Sequence, residues 1–119
     1  MASYQEVTFA SIIKGSFFDN QRFKLYSDSA YTLPIDLTGC TIKAQLRTTP
    51  KSPPQYTWST EDDTITISGT DNNFVNLIGT NLDINPGQYY SDIDITFPSG
   101  AVRTYIRFKL TILDEYTNG

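Results

Sequence analysis

Residues 87–115, GQYYSDIDITFPSGAVRTYIRFKLTILDE, hold two runs of alternating apolar and polar residues on either side of the stretch 98–100. Alternation with a period of two is typical of half-buried antiparallel strands. Pro98 and Gly100 are residues that turns favour. The stretch therefore predicts a long β-hairpin with one apolar face and one polar face, around which the rest of the chain packs.

The alternation also assigns the two faces of this hairpin. The outward face includes Asp92 and Asp94 on the first strand and Arg103 and Arg107 on the second. Two registers keep the faces apart, one with Asp92 opposite Arg107 and one with Asp94 opposite Arg103. A shift by one residue would mix the faces, so we expect it not to occur. The predicted inward residues are Ile93, Ile95, Phe97, Val102, Thr104, Ile106, Phe108, Leu110 and Ile112.

Short runs of strand-forming residues recur along the rest of the chain between turn signals. The run 40–47 has the most regular alternation, and 56–58 and 64–68 are spaced as a second hairpin. Phe17-Phe18 fits either a strand or a helical turn, and 80–87 is predicted to form one helical turn. The other strand candidates lie near residues 5–9, 21–26 and 74–78, and the predicted inward residues of 40–47 are Cys40, Ile42, Ala44 and Leu46.

About seven or eight short strands with turns every 8–12 residues or so indicate an all-β fold. We expect a single immunoglobulin-like antiparallel β-sandwich over residues 1–119, with flexible ends at 1–4 and 116–119. A small β-barrel is the alternative. The likeness to immunoglobulins is of architecture only, because one cysteine, Cys40, cannot form an intrachain disulfide.

Composition excludes or disfavours several classes of function. The net charge of −4 is unlike the basic balance that nucleic-acid binders use to displace phosphate counterions. No apolar run approaches the ~20 residues that cross a bilayer, and the N-terminus lacks the pattern of a signal peptide. We expect synthesis in the cytoplasm, with neither nucleic acid nor membrane as a partner.

The sequence contains few of the groups that catalysis and metal binding require. It has no histidine, which removes the commonest general base and most transition-metal sites. Asp92 and Asp94 are interpreted as solvated carboxylates with arginine neighbours, Cys40 as a core residue, and the acidic stretch 61–63 as a turn without calcium-loop spacing. We expect no enzymatic activity, no cofactor and no metal.

Aromatic residues are abundant, at 13% of the chain, and several fall on outward positions. Tyrosine and tryptophan are enriched at protein interfaces because they combine a large contact area with a polar tip. The candidate interface residues are Tyr56, Trp58, Tyr89, Tyr90 and Tyr105, together with Arg103 and Arg107.

Three stretches together resemble small structural proteins of tailed bacteriophages, including the immunoglobulin-like N-terminal domains of upper baseplate proteins. In that family an Asp-Leu-Thr-Gly turn opens a strand that ends in an apolar-Arg pair, as in 36–47 here. A Gly-x-Tyr-x-x-Asp-Ile strand follows, here 87–93, and then a turn containing glycine and a closing strand, here 98–112. The resemblance implies a non-enzymatic building block of the virion.

On this resemblance we expect a docking module of the tail, baseplate or neck-fibre apparatus, present in multiple copies. Its partners would be other virion proteins and further copies of itself, and its location the virion after assembly in the host cytoplasm. One alternative is a capsid head-decoration protein. Another is a carbohydrate- or receptor-binding module that uses Trp58 and nearby tyrosines.

Overall fold

Two main β-sheets lie face to face, together with a separate two-stranded sheet, in a computed structural model that describes residues 5–27, 30 and 32–115. Every regular element within these residues is a strand. The strands are β1 (Gln5–Thr8), β2 (Ile12–Ile13), β3 (Phe17–Phe18), β4 (Gln21–Lys24), β5 (Thr41–Leu46), β6 (Tyr56–Ser59), β7 (Ile65–Ser68), β8 (Phe74–Leu77), β9 (Thr80–Asn81), β10 (Gly87–Thr96) and β11 (Val102–Leu113).

The strand order is that of an immunoglobulin-like sandwich. The larger sheet has the order β1-β11-β10-β5-β6, with β2 also along β11, and the smaller sheet has the order β4-β8-β7. In the larger sheet β10 thus lies between β11 and β5, and in the smaller sheet β8 lies between β4 and β7. Immunoglobulin domains have the same arrangement. The predicted all-β sandwich is confirmed. Two pairings are parallel rather than antiparallel, because β1 and β2 both run alongside β11 in the same direction.

Two local predictions were wrong and one open choice is decided. β6 pairs with β5 and β7 pairs with β8, so the expected hairpin of 56–58 with 64–68 is split between the two sheets. Residues 80–87 contain β9 and no helical turn. Phe17-Phe18 is a strand, paired with β9. The expected flexible ends, 1–4 and 116–119, lie outside the described residues.

The opening hairpin is present, and its first part follows one of the two expected registers. Asp92 lies opposite Arg107, and Ile93 lies opposite Ile106. Along this part of the hairpin, inward and outward residues alternate as predicted. The residues of the hairpin confirmed as buried are Ile93, Ile95, Ile106, Phe108, Leu110 and Ile112.

A β-bulge changes the register beyond Ile93. Asp94 now lies opposite Thr104, so Tyr105 is the extra residue on β11. A bulge of this kind reverses the faces of the residues beyond it. Thr104 Oγ1 therefore donates a hydrogen bond to the exposed Asp94 Oδ1 at 2.6 Å, and Val102 is 63% exposed. The expectation that no one-residue shift occurs, and the inward placement of Val102 and Thr104, were wrong.

The core lies between the sheets and is rich in aromatic rings. Trp58 is at its centre, with no exposed surface. Its ring centroid lies 4.6 Å from that of Tyr56, 5.7 Å from that of Phe18 and 6.1 Å from that of Phe108. The predicted inward residues Cys40, Ile42, Ala44 and Leu46 are all buried.

The outward placement of Trp58 was therefore wrong, and the register of β6 gives the reason. Trp58 lies directly opposite Ala44, and residues opposite one another in a sheet point to the same face. Ala44 is inward and small, which leaves room for the indole. The indole Nε1–H donates to the carbonyl oxygen of Ile78, just after β8, at 3.0 Å. Trp58 thus joins the larger sheet to the smaller one.

The outward placement of Tyr89 was also wrong, because only 2% of this residue is exposed. Its phenol donates a hydrogen bond to the carbonyl oxygen of Asn85, four positions earlier in the chain, at 2.6 Å. A tyrosine near the start of this strand with such a bond is the tyrosine corner of immunoglobulin-like sandwiches. Burial raises the pKa of Tyr89 above its ordinary value. Tyr89 fixes the connection where the chain enters the larger sheet.

Candidate interaction surfaces

The outer face of the larger sheet carries a shallow groove of about 430 Å³ across β5, β10 and β11. The alternation of these strands places their charged residues on this face. Its lining includes Lys43, Gln45, Arg47, Tyr90, Asp92 and Arg107.

Most charged groups of this groove are held by hydrogen bonds or by an ion pair. Arg107 Nε lies 2.6 Å from Asp92 Oδ1 and donates a hydrogen bond to it. Arg47 donates to Gln45 Oε1 at 2.7 Å and to the carbonyl oxygen of Ser52 at 2.6 Å. These bonds hold the polar side chains of the groove in fixed positions.

Tyr90 is the exposed aromatic residue of this face, with 42% of its surface accessible. Its backbone exchanges two hydrogen bonds with that of Arg47, at 2.8 and 2.9 Å. Lys109 Nζ lies 5.9 Å from the centre of its ring, within the range of a cation–π contact. Tyr90 combines a fixed backbone with an accessible ring, as an interface residue requires.

The predicted interface residues thus divide into three groups. The groove brings Tyr90 and Arg107 together, while Arg103 lies opposite Ile95 at the far end of the hairpin. The core contains Trp58 and Tyr89, the half-buried positions that pack against the core are Tyr56 and Tyr105, and the exposed positions are Tyr90, Arg103 and Arg107.

The outer face of the smaller sheet is a second polar surface that the sequence interpretation missed. Asn76 lies at its centre and donates to Thr66 Oγ1 at 3.3 Å and to Ser68 Oγ at 2.9 Å. Arg22 Nε donates to Asn76 Oδ1 at 3.0 Å. The alternation of β4 was the available signal, since it puts Arg22 and Lys24 outward; the amide network has no signal in the sequence.

Aromatic and cationic groups meet on this second face. Arg22 Cζ lies 5.4 Å and Lys24 Nζ 5.3 Å from the centre of the Phe74 ring. The three strands carry no acidic residue. This face is therefore positively charged in a chain whose net charge is −4.

The remaining titratable groups are structural in their surroundings. Cys40 is buried, and desolvation, with a smaller contribution from Asp36, raises the pKa of its thiol. Hydrogen bonds from the hydroxyl and then the backbone N–H of Thr38 lower the pKa of Asp36, which closes the turn before β5. Within residues 5–27, 30 and 32–115, no group of three or more His, Cys, Asp or Glu side chains is placed to hold a metal ion.

Comparison with known proteins adds no family to this picture. A scan against protein-family models gives no match to the chain, and a search of curated proteins gives none either. The described part of the chain contains no helix long and apolar enough to cross a membrane. Any functional proposal therefore depends on the fold, the two outer faces and the resemblance of the three sequence stretches.

Proposed function

We propose that this chain is a non-enzymatic structural protein of a tailed-bacteriophage virion. It acts as a β-sandwich docking module of the tail, baseplate or neck-fibre apparatus and is present in multiple copies. The resemblance of 36–47, 87–93 and 98–112 to phage structural proteins supports the class. The immunoglobulin-like strand order fits the same class.

The observation that carries this proposal is that neighbouring side chains hold both carboxylates on the outer face of the larger sheet. Asp92 is bound by Arg107, and Asp94 accepts a hydrogen bond from Thr104. A face whose charges are already held in place can dock without reorganising its side chains, which lowers the entropy lost on binding. Tyr90 supplies an accessible aromatic contact beside them.

The carbohydrate- or receptor-binding alternative depended on an accessible Trp58. Trp58 has no exposed surface and cannot stack on a sugar. No contact favours the capsid head-decoration alternative over a site in the tail. The virion docking module is therefore the function that we carry forward.

The test is the protein content of purified particles. Phage particles whose genome encodes the chain would be purified on a density gradient and analysed by quantitative mass spectrometry. We expect the chain in many copies per particle, and particles assembled without it to lack a complete tail. Complete, infectious particles formed in its absence would overturn the proposal.

The contribution of the groove can be measured in the same particles. Tyr90→Ala and Arg107→Ala should lower the number of copies incorporated while the purified variants remain folded. Val102→Ala is the matched control, because Val102 is exposed at the far end of the hairpin and does not line the groove.

A further inference from the structure

The edge of the smaller sheet at β7 has backbone groups that the described residues leave unpaired. Antiparallel strands bond through every second residue, and the Ile78 N–H donates to the Thr64 carbonyl oxygen at 2.9 Å. Thr66 is two residues after Thr64, so its backbone groups also form their hydrogen bonds with β8. The N–H and C=O groups of Ile65 and Ile67 therefore point away from the sheet, to its open side.

The opposite edge of this sheet, at β4, also has no strand partner among the described residues, but it is protected by charge. The Leu25 N–H donates to the Asn73 carbonyl oxygen at 2.9 Å, so the backbone groups of Arg22 and Lys24 face outward from the sheet. Their side chains are positively charged and exposed. Cationic residues on an edge strand oppose the addition of a second, identical edge.

The nearest edge of the larger sheet, at β6, is closed near its end. The Ser59 N–H donates to Thr64 Oγ1 at 2.8 Å, and its carbonyl oxygen accepts from the Thr64 N–H at 3.0 Å. The chain between β6 and β7 thus covers this part of the β6 edge. Among these three edges, β7 combines free backbone groups with a strand that carries no charge, ITIS.

We propose that a second copy of this chain binds at the β7 edge, so that two smaller sheets join into one across a two-fold axis. The inference deepens the proposed multi-copy assembly and rests on it for its biological setting. The commonest oligomers are two-fold dimers in which the same surface meets itself. Isoleucine and threonine are strong strand formers, so the strand suits such pairing.

The free backbone groups select the register of this contact. An antiparallel copy that sets Ile65 opposite the other copy's Ile67 lets each pair exchange two hydrogen bonds. Setting either isoleucine opposite itself would place the other against Asp63 or Gly69, whose backbone groups already bond within turns. Thr66 then lies opposite itself, in the position where opposing Cα atoms are about 4.5 Å apart. A parallel two-fold arrangement would set each residue opposite itself, which does not satisfy the staggered bonds of parallel strands. The antiparallel contact is therefore the one that two-fold symmetry allows.

The charges beside β7 set the conditions under which the contact forms. Asp63 precedes the strand and Asp71 follows it, and both are exposed. Antiparallel pairing brings the start of one strand toward the end of the other, so these acids repel across the axis. Because salt screens exposed charges, raising the ionic strength should strengthen the dimer.

The decisive experiment is a cysteine cross-link at a single position. Thr66→Cys would be oxidised at increasing protein concentration and analysed by non-reducing electrophoresis, with Ser68→Cys as the matched control. Each of the two substitutions removes one side-chain hydrogen bond that Asn76 donates. In the proposed register the two thiols introduced at position 66 meet, whereas the residues at 68 are roughly 14 Å apart, beyond disulfide reach.

We expect a covalent dimer from Thr66→Cys and none from Ser68→Cys or from the parent chain, whose Cys40 is buried. Equal cross-linking at 66 and 68, or none at either, would overturn the proposed register. A second measurement is sedimentation equilibrium of Thr66→Lys, which sets like charges directly opposite one another and should weaken the dimer roughly fivefold. An unchanged dissociation constant would contradict the proposal.

These results are separable from the virion proposal. A chain found in many copies per particle that gives no cross-link at Thr66 overturns the edge contact alone. A cross-linked dimer of a chain that is absent from complete particles overturns the virion assignment alone.

Discussion

The two sheets differ in how one arginine on the outer face of each is held, Arg107 on the larger sheet and Arg22 on the smaller one. On the larger sheet, Arg107 binds the carboxylate of Asp92, so its charge is balanced locally. On the smaller sheet, Arg22 binds the neutral amide of Asn76 and lies over Phe74, so its charge is not balanced there. Within the described residues, the smaller sheet also leaves backbone groups of β7 without a partner. The outer face of the larger sheet thus carries a compensated ion pair, whereas that of the smaller sheet carries positive charge that no acidic residue of its strands balances.

The largest expected effect comes from removing the side chain that joins the two sheets. Trp58→Ala would leave a cavity among the aromatic rings and break the bond to the Ile78 carbonyl oxygen. We expect a loss of about 3–5 kcal/mol in the free energy of unfolding, measured by urea denaturation. A domain of ordinary stability has roughly 5–15 kcal/mol in total, so the variant should be close to unfolding.

Tyr90→Ala is the control for this aromatic substitution. Tyr90 is exposed on the outer face of the larger sheet. Surface substitutions of this kind usually change stability by no more than about 0.5 kcal/mol. Equal losses for the two variants would show that Trp58 does not hold the sheets together.

Tyr89→Phe sharpens the comparison at the corner where the chain enters the larger sheet. The phenylalanine ring keeps the packing but leaves the carbonyl oxygen of Asn85 without its donor. Asn85 is exposed, so water can reach its carbonyl oxygen, and the loss should be that of one hydrogen bond, about 0.5–1.5 kcal/mol. Chemical denaturation should show this loss, and a variant as stable as the parent would mean that the corner is held by packing alone.

The same residue predicts how stability depends on alkaline pH. The pKa of Tyr89 is raised from 10.0 by burial, so the folded state holds the phenolic proton more tightly than the unfolded state does. Its contribution to stability is therefore present below the ordinary pKa and is lost as the pH rises through the folded value. Denaturation at a series of alkaline pH values should show a steeper fall for the parent than for Tyr89→Phe.

The smallest effect tests the contrast between the two arginines directly. Asp92→Asn removes the charge opposite Arg107, and exposed ion pairs contribute no more than about 1 kcal/mol. The loss should shrink further at high salt, because the pair is screened. Asn76→Ala, on the smaller sheet, removes the bonds to Thr66 and Ser68 and one bond from Arg22, but it separates no pair of opposite charges, so its cost should depend on salt less than that of Asp92→Asn. A cost at Asn76 that falls with salt as steeply as the cost at Asp92 would break the distinction.

Alternation along the sequence was sufficient to predict most of the strands and most of the buried faces. The stretch 40–47 shows why, since its pattern is regular and its buried Ile42 and Ala44 lie opposite the buried Ile95 and Ile93. The pattern could not predict the bulge at Tyr105. A bulge adds one residue without changing the composition of the strand, so nothing local marks it.

The positions of Trp58 and Tyr89 required knowledge of pairing across the chain. The inward direction of Trp58 depends on its partner Ala44, which belongs to another strand. Tyr89 had a local signal, the Asn-x-Gly-x-Tyr spacing of 85–89 at the corner before β10, but its hydrogen bond is visible only in the fold. The edge at β7 was hidden for a similar reason, because the sequence placed this strand in a hairpin with β6.

The parallel pairing of β1 with β11 has a consequence for how the chain folds. Gln5 lies beside Ile106, so the larger sheet cannot be completed until the last strand has been made. Contacts this far apart in sequence are slow to form, because a long loop must close before any of them stabilises the chain. During synthesis β1 has no strand partner until β11 has been made, and a chain ending before residue 102 would leave β1 without this partner and β10 with β5 alone. Completion of the larger sheet therefore depends on the synthesis of β11.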